Sequence, residues 1–333
     1  MINTEKRTQI RAYRYENIRI FLKYVRVRPS MLLGIILTCI YVAIALLDIF
    51  YPRYLGVTSA GTLWSFTNLS LTSTVTPTPP TLANGWENIF GTTSYGLPIF
   101  PVMLAAIATD IKYSFLVVSV SAILGTFAGI FSAIFSRRTD LIFMRMTDIF
   151  LSFPAIIVVI IFASIEGWSY LNISYGILLI WWTTYARVAR GATLPLRRST
   201  FVEAAIASGC SRFQLIRKHI FPNVMSLIFV QITLDIGMVI SIFATVNFLF
   251  SSLNITNAFV PEIGNMMVGF PEAGVIVNPN FYASFPVSSS LLLISGTWWP
   301  IVIPGLFLII FIVGMNLMGN GLRDFVNPRN RGR

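Results

Sequence analysis

Between Lys112 and Arg137 the chain reads YSFLVVSVSAILGTFAGIFSAIFS, a run of 24 residues without a charge. About 20 apolar residues in a helix cross the hydrocarbon core of a bilayer, so this run predicts a transmembrane helix. Five further stretches are apolar enough for the same interpretation, although the third has only 17 uncharged residues. We therefore predict an all-α integral membrane protein with six spans, from the stretches Pro29–Leu47, 113–136, 149–165, 167–186, Pro222–Phe250 and Thr297–Met318.

Composition supports a membrane protein and excludes several enzyme classes. Of the 333 residues, 55% are hydrophobic and only 11% are charged, whereas soluble domains usually carry about a quarter charged residues. The single histidine, His219, excludes a two-histidine zinc helix, and the two cysteines cannot form a Cys-based zinc cluster. No lysine follows a glycine, so a Walker A loop is absent from the sequence, and any ATP used must be bound by another chain.

Lysine and arginine predict the orientation. Of the 24 basic residues, 22 fall in 1–30, 137–146, 187–218 or after Leu322, and only Arg53 and Lys112 fall in the alternate segments. Because basic residues accumulate on the cytoplasmic side, this bias predicts that both termini are inside. The net charge of +11 is then explained by contact with inner-leaflet lipids, and no nucleic acid is implied.

These predictions divide the chain into segments. They are a cytoplasmic basic N-terminal segment (1–30), a first transmembrane helix (31–51), an extracellular Ser/Thr/Pro-rich loop (52–110), a five-helix core (111–320) with an inner loop at 197–222 and an outer loop at 251–296, and a cytoplasmic tail (321–333). Three N-x-S/T sequons, at Asn68, Asn172 and Asn254, fall in predicted outer segments and are candidates for N-glycosylation, although chance placement remains equally open.

The inner loop between the fourth and fifth spans reads RRSTFVEAAIASGCSRFQLIRKHIFPN from Arg197 to Asn223. Two capping boxes, Thr200 with Glu203 and Ser211 with Gln214, predict the starts of two short helices. Gly209 lies where the first helix would end with a residue at positive φ. The second helix is expected to place Phe213, Ile216 and Ile220 on one face.

Two interpretations of this loop follow from helix physics alone. The first helix carries alanines and Ser208, a surface without bulk that another protein can approach closely, and Arg212, Arg217 and Lys218 are available to phosphates or acidic partners. Alternatively, the loop is an amphipathic helical hairpin that lies on the inner leaflet.

A family resemblance favours the first interpretation. Glu203-Ala204-Ala205, then Gly209, then Pro222 resembles the EAA loop of ABC-importer permeases, in which the loop is the coupling helix that docks on the ATPase subunit. RMTDIFLSFP (145–154), WTTYARVAR (182–190) and the NLMGNGLRD ending (316–324) are similar to the C-type, DppC/OppC-like permease of the peptide branch. Phe221, GTTSYGLP (91–98) and Ile263 depart from the family pattern.

The resemblance implies a type I ABC importer permease (MetI-like) fold and a set of partners. They are a second, B-type permease, two ABC ATPase subunits that bind ATP and Mg, an external solute-binding protein and membrane lipids; this chain would hold no cofactor or metal and catalyse no reaction. The implied cargo is a di- or oligopeptide, with oligosaccharide or nickel as alternatives. The implied ATPase-coupling residues are Glu203, Ala204, Ala205, Gly209, Arg212 and Pro222.

Asp235 lies midway along the fifth predicted span, with Gln231 four residues earlier on the same helical face. A carboxylate in the bilayer costs several kcal/mol unless it is paired or faces water. The two residues either line the translocation path or hydrogen-bond to a partner permease. Coupling through protonation of Asp235, as in a standalone secondary transporter, is a third possibility. Gly125 and Gly129 form a small-xxx-small pair that predicts close helix packing.

Overall fold

The computed structural model describes residues 19–50, 78–82, 85–93, 98–250, 262–268 and 298–326, and these residues are predominantly helical. After a helical segment at 19–27, we number the helices in chain order. They are α1 (Pro29–Phe50), α2 (Ile99–Ile134), α3 (Arg137–Leu151), α4 (Ala155–Glu166), α5 (Tyr170–Arg197), α6 (Thr200–Ala207), α7 (Arg212–Leu215), α8 (Phe221–Phe250), α9 (Ile263–Val268) and α10 (Trp299–Val326). A π-helical turn, Ile216–Ile220, joins α7 to α8.

Four of the described helices, α1, α2, α8 and α10, are long and apolar enough to cross a membrane by themselves. Two more predicted spans differ from the expectation. The third is divided between α3 and α4, which meet at an angle of 80°. Pro154 lies at this break, where its ring and missing N–H prevent one continuous helix. The fourth predicted span is the first part of α5, a helix of 28 residues that extends to Arg197.

The second span also begins earlier than charge counting predicted. Helix α2 starts at Ile99, inside the segment assigned to the outer loop, and includes Asp110 and Lys112. Asp110 is buried, and the Lys112 ammonium lies 5.5 Å from the ring centroid of Tyr113. The helix therefore continues through Asp110 and Lys112, whereas charge counting predicts that it begins after Lys112.

Two groups of buried apolar side chains fill the interior. The first joins α2, α4, α5 and α8 and extends into the segment after α5 through Val202, Leu215 and Ile220. The second joins α1, α2, α8, α9 and α10. Helices α2 and α8 contribute to both groups, so they connect the two halves of the protein.

The closest packing of α2 is against α5, at the predicted glycine pair. A Cβ at Gly125 would overlap the carbonyl oxygen of Trp182, and a Cβ at Gly129 would overlap that of Ala186. The backbones of α2 and α5 therefore approach each other where only glycine fits. The small-xxx-small prediction is confirmed.

The salt bridge between Arg28 and Asp324 joins the beginning of α1 to the end of α10, with 2.6 Å between Nη1 and Oδ2. Phe21 and Tyr24 of the segment 19–27 also contact the ring of Phe325. Both ends of the described chain therefore lie on the same side of the helical bundle.

A pair of glycine substitutions tests this packing. We expect Gly125→Ala to destabilise the protein by about 1–3 kcal/mol, because the new methyl group would force α2 away from α5. Gly191→Ala is the matched control, since Gly191 lies within the partner helix α5 and a Cβ there meets no described atom within 4 Å. Its stability should stay within about 1 kcal/mol of the wild type. Thermal unfolding in detergent measures both; equal stability of the two variants would contradict the close approach.

Candidate functional site on the linking segment

Residues 200–222, here called the linking segment, connect α5 to α8. Its first helix, α6, begins one residue earlier than the proposed capping box predicts, because Ser199 occupies the N-cap and Thr200 is already helical. The Ser199 side chain does not cap α6, since its hydroxyl donates to the carbonyl oxygen of Leu196. The capping-box prediction at Thr200 was therefore wrong, although the predicted helix is present.

The end of α6 forms as the sequence predicts. Gly209 has φ +81°, a conformation that costs a residue with a Cβ about 1–2 kcal/mol. Its N–H donates to the Ile206 carbonyl at 2.9 Å, and the Cys210 N–H donates to the Ala205 carbonyl at 3.1 Å. These two hydrogen bonds form a Schellman motif, which ends α6 and reverses the chain direction.

The second helix of the linking segment starts with the predicted capping box. The Ser211 N–H donates to Gln214 Oε1 at 3.1 Å, and the Gln214 N–H donates to Ser211 Oγ at 3.3 Å. The chain then widens into the π-helical turn just before Pro222, whose ring clashes with the carbonyl four residues earlier in a regular α-helix. Pro222 thus carries the linking segment into α8 rather than ending it.

The small residues of α6 are on the surface. Glu203, Ala204, Ala207 and Ser208 are exposed, and within the described residues the Glu203 carboxylate has no hydrogen bond or ion pair. Phe201 and Ile206 are exposed beside them. Helix α6 therefore presents a mostly apolar surface of small side chains, with one carboxylate that is unpaired among the described residues.

Three buried apolar residues hold this surface in place: Val202, Leu215 and Ile220 pack into the interior shared by α2, α5 and α8. The predicted apolar face of the second helix is only partly correct. Ile220 is buried, but Phe213 is 71% exposed and Leu215 is buried in its place. The π-helical turn changes the angular spacing between 213 and 220, which a regular helix pattern does not anticipate.

The basic residues of the linking segment are also accessible. Arg212, Arg217 and Lys218 are exposed. The Arg212 guanidinium lies 5.8 Å from the centroid of the Phe135 ring, near the end of α2. The His219 ring lies 6.3 Å from that of Phe201 and so joins the two short helices. The linking segment therefore exposes both basic side chains and the apolar surface of α6 to a binding partner.

Two motifs that are distant in sequence meet beside the linking segment. Arg190, in WTTYARVAR, donates from both Nε and Nη2 to the carboxylate of Asp140 in α3, with 2.7 Å for the second contact. Arg187, in the same motif, donates to Asp148 of RMTDIFLSFP at 2.7 Å. These ion pairs fasten α3 to α5, and sequence analysis did not predict either one.

Asp235 lies inside the chain, where only 4% of its surface is exposed. Gln231 Nε2 donates to its Oδ1 at 2.9 Å, as the shared helical face predicts. Tyr185 and Trp181 of α5 adjoin the carboxylate, but Asp235 Oδ2 has no well-formed hydrogen bond to a described residue. In this conformation Asp235 faces α5 and not an open path. Gln231 is partly exposed, so it is better placed than Asp235 to line such a path.

The remaining predicted sites have different outcomes. Asn68 and Asn254 lie outside the described residues. Asn172 begins α5, and its Nδ2 donates to the carbonyls of Glu166 and Gly167 at 2.9 and 2.8 Å. A glycan on this nitrogen would leave one proton for two acceptors, so the folded start of α5 disfavours the modification. No cluster of three His, Cys, Asp or Glu side chains suitable for a metal occurs in the described part of the chain.

The two ion pairs of α3 provide a matched comparison. Asp140 and Arg190 are only 21% and 31% exposed and form a bidentate contact, whereas Asp148 and Arg187 are about half exposed and form one contact. We expect Asp140→Asn to lower stability by roughly 1 kcal/mol and Asp148→Asn to have no measurable effect. Thermal unfolding of the purified protein measures both. A larger loss for Asp148→Asn would contradict the assignment of Asp140–Arg190 as the main anchor.

Comparison with known proteins identifies the family of the chain. The family described as "Binding-protein-dependent transport system inner membrane component" matches residues 125–332, more than half of the chain. The "Probable D,D-dipeptide transport system permease protein DdpC" of Escherichia coli (strain K12) is 30% identical over 255 residues, covering 77% of this chain and 76% of the relative. The "Dipeptide transport system permease protein DppC" of Alkalihalophilus pseudofirmus is 29% identical over 243 residues, covering 73% and 72%. The chain is therefore a multi-pass membrane protein that belongs to the family of binding-protein-dependent transport system inner membrane components.

Proposed function

We propose that this chain is one of two permease subunits of an ATP-driven importer that takes up di- or oligopeptides delivered by an external binding protein. The observation that carries the proposal is α6, a short exposed helix of small residues held between α5 and α8 in the region that the family matches. The names of the relatives, which are dipeptide transport permeases, support a peptide cargo over an oligosaccharide. Family membership also disfavours a standalone secondary transporter.

We infer a six-span topology from contacts at the helix ends, and we place both termini inside from the distribution of basic residues. The Arg28–Asp324 pair brings the start of α1 beside the end of α10, so the chain between them crosses the membrane an even number of times. Among the described helices, four crossings come from α1, α2, α8 and α10. If no other segment crosses, the α3–α4 pair and α5 both cross or both remain on one side, and the length of α5 supports six crossings.

Contacts between other helix ends agree with this topology. Arg197 at the end of α5 donates to the Ala133 carbonyl at the end of α2, at 3.0 Å. The Trp299 indole at the start of α10 donates to the Thr92 carbonyl, just before α2, at 3.2 Å. The first contact belongs to the inner side and the second to the outer side, so α2, α5 and α10 all run inward.

In this proposal α6 is the coupling helix. The small residues Ala204 and Ala205 allow the groove of an ATPase subunit to approach the backbone, and Glu203 and Arg212 offer charges to it. Two ATPase subunits bind ATP and Mg, and their closure moves the linking segment. Because Val202, Leu215 and Ile220 pack into the same interior as α2, α5 and α8, the movement is transmitted to the spanning helices. Pro222 and the π-helical turn join this movement to α8.

Purification of the complex and uptake measurements test this function. We expect gentle detergent extraction to recover a second permease and ATPase chains with this protein, and Glu203→Arg to leave that complex intact. Uptake by the variant should fall at least about tenfold, because a long cation replaces the carboxylate on a surface that must be approached closely. Gly209→Arg should do the same, since it adds bulk at positive φ.

Glu166→Arg is the matched control, because Glu166 is also an exposed carboxylate but lies at the other end of the bundle, at the end of α4. Its uptake should equal that of the wild type. Wild-type uptake by Glu203→Arg would exclude the coupling role of α6, and recovery of the chain as a homo-oligomer without ATPases would exclude the importer itself.

We further propose that Gln231 and Asp235 form a polar group between the path and α5. Asp235→Asn keeps the shape and the contact with Gln231 but removes a charge that has no well-formed partner for Oδ2. The variant should be at least as stable as the wild type, because burial of an uncompensated charge is unfavourable. If transport requires the charge, uptake falls without loss of the complex; unchanged uptake and unchanged stability would together contradict a role for Asp235.

A further inference from the structure

The short helix α9 is fastened to the bundle at the end opposite the linking segment. A Cβ at Gly264 would overlap the carbonyl oxygen of Ala244 in α8, so the backbones of α9 and α8 are in contact. Ile263 and Met266 pack with residues of α2 and α10. The residues on either side of 262–268 are not among those described, so the contacts of these seven residues with α2, α5, α8 and α10 define how α9 is held.

Two carboxyl groups meet at the first turn of α9. The Asp110 carboxylate, from α2, lies close to the Ile263 backbone N–H. Glu262 Oε2 accepts a hydrogen bond from the Asn265 N–H at 2.9 Å, and the Gly264 N–H is close to the same carboxylate. Three consecutive N–H groups are thus close to two carboxyl groups, of which Asp110 is 3% exposed and Glu262 fully buried.

Each of these carboxyl groups has an oxygen that lacks a hydrogen-bond donor among the described residues: Asp110 Oδ2 and Glu262 Oε1. Asn265 Oδ1, in a side chain that is only 7% exposed, lacks one as well. Buried acceptors are normally paired, and an unpaired one is unfavourable, more so when it is charged. Within the described residues, a proton donor to these three oxygens is therefore missing.

The groups around the two carboxyls do not supply a compensating charge. Tyr170 of α5 accepts a hydrogen bond from Asn265 Nδ2 at 2.7 Å, and Tyr113 of α2 stacks on it at 5.5 Å between centroids. Both are neutral phenols at physiological pH. Lys112, the cation on α2, lies 5.5 Å from the centroid of the Tyr113 ring and forms no ion pair with a described carboxylate. Two ionised carboxylates at the first turn of α9 would therefore repel each other.

We propose that Asp110 and Glu262 form a proton-binding site, in which one shared proton makes a carboxyl–carboxylate hydrogen bond that fastens α9 to α2. The proton bonds one unpartnered oxygen to the other and leaves a single negative charge, which the three N–H groups of α9 stabilise. Loss of the proton leaves two adjacent negative charges and releases α9 from α2. The site does not depend on the proposed transport function.

The direction of the pH dependence follows. Burial raises the pKa of the Glu262 carboxyl above its usual range. A group whose folded pKa is raised contributes stability below that pKa, and the contribution is lost as pH rises through it. The attachment of α9 should therefore be tight in mildly acidic conditions and should weaken as the pH rises.

Hydrogen exchange of the intact purified complex, followed by mass spectrometry between pH 5 and 9, tests the proposal. Protection factors, which are corrected for intrinsic exchange, should fall at least about tenfold for 263–268 as the pH rises, while those of the middle of α8 stay constant. Asp110→Asn and Glu262→Gln each place a permanent amide donor against the remaining carboxylate. Both variants should keep α9 protected up to pH 9, and the control Asp148→Asn should behave as the wild type.

Three results would overturn the proposal. One is protection of 263–268 in the wild type that does not change with pH. Another is wild-type pH dependence in both amide variants, since neither retains an acid pair. Protection that disappears on adding a chelator or removing sodium at constant pH would also overturn it, because a bound metal ion would then hold the two carboxylates together. None of these measurements requires uptake, so failure of the importer proposal would leave this test unaffected.

Discussion

The close approach of α2 and α5 is the contact on which the rest of the structure depends. Gly125 and Gly129 allow the two backbones to touch, and lipid offers no hydrophobic driving force that could replace this packing. Helix α5 in turn holds α3 through Arg187 and Arg190 and leads directly into α6. The position of the candidate coupling surface is therefore set by helix packing in the bundle interior, some distance from α6 itself.

Local signals in the sequence predicted local structure well. Gly209 has the positive φ that the end of α6 requires, and Ser211 with Gln214 forms the capping box of α7, because both features depend on neighbouring residues only. The misplaced start of α6 has a specific reason. Only Thr200 has a glutamate three residues later, but the adjacent Ser199 takes the N-cap because its position depends on the end of α5, where its hydroxyl donates to the Leu196 carbonyl.

Charge counting predicted the membrane class and the long helices, but not where they begin or break. It treats each charge as a boundary, so it placed Asp110 and Lys112 outside the second span, although both lie within α2. The backbone N–H groups of α9 that lie near Asp110 are more than 150 positions away in sequence. The same limitation hid the ion pairs of α3, whose charges looked like solvated loop residues until α5 was placed beside them.

The arrangement of the interior constrains how a push on α6 can act. Val202, Leu215 and Ile220 belong to the same packed group as Tyr185 of α5 and Val117 of α2. Close-packed interiors have few alternative arrangements, so a displacement of the linking segment moves these helices together rather than deforming one of them. Next to these helices, α3 and α4 are separated by a break at Pro154 and meet at an angle of 80°. Asp140 and Asp148 tie α3 to α5, whereas α4 packs against the first half of α5 at Gly176. We therefore expect movement of α3 relative to α4 to concentrate at this junction.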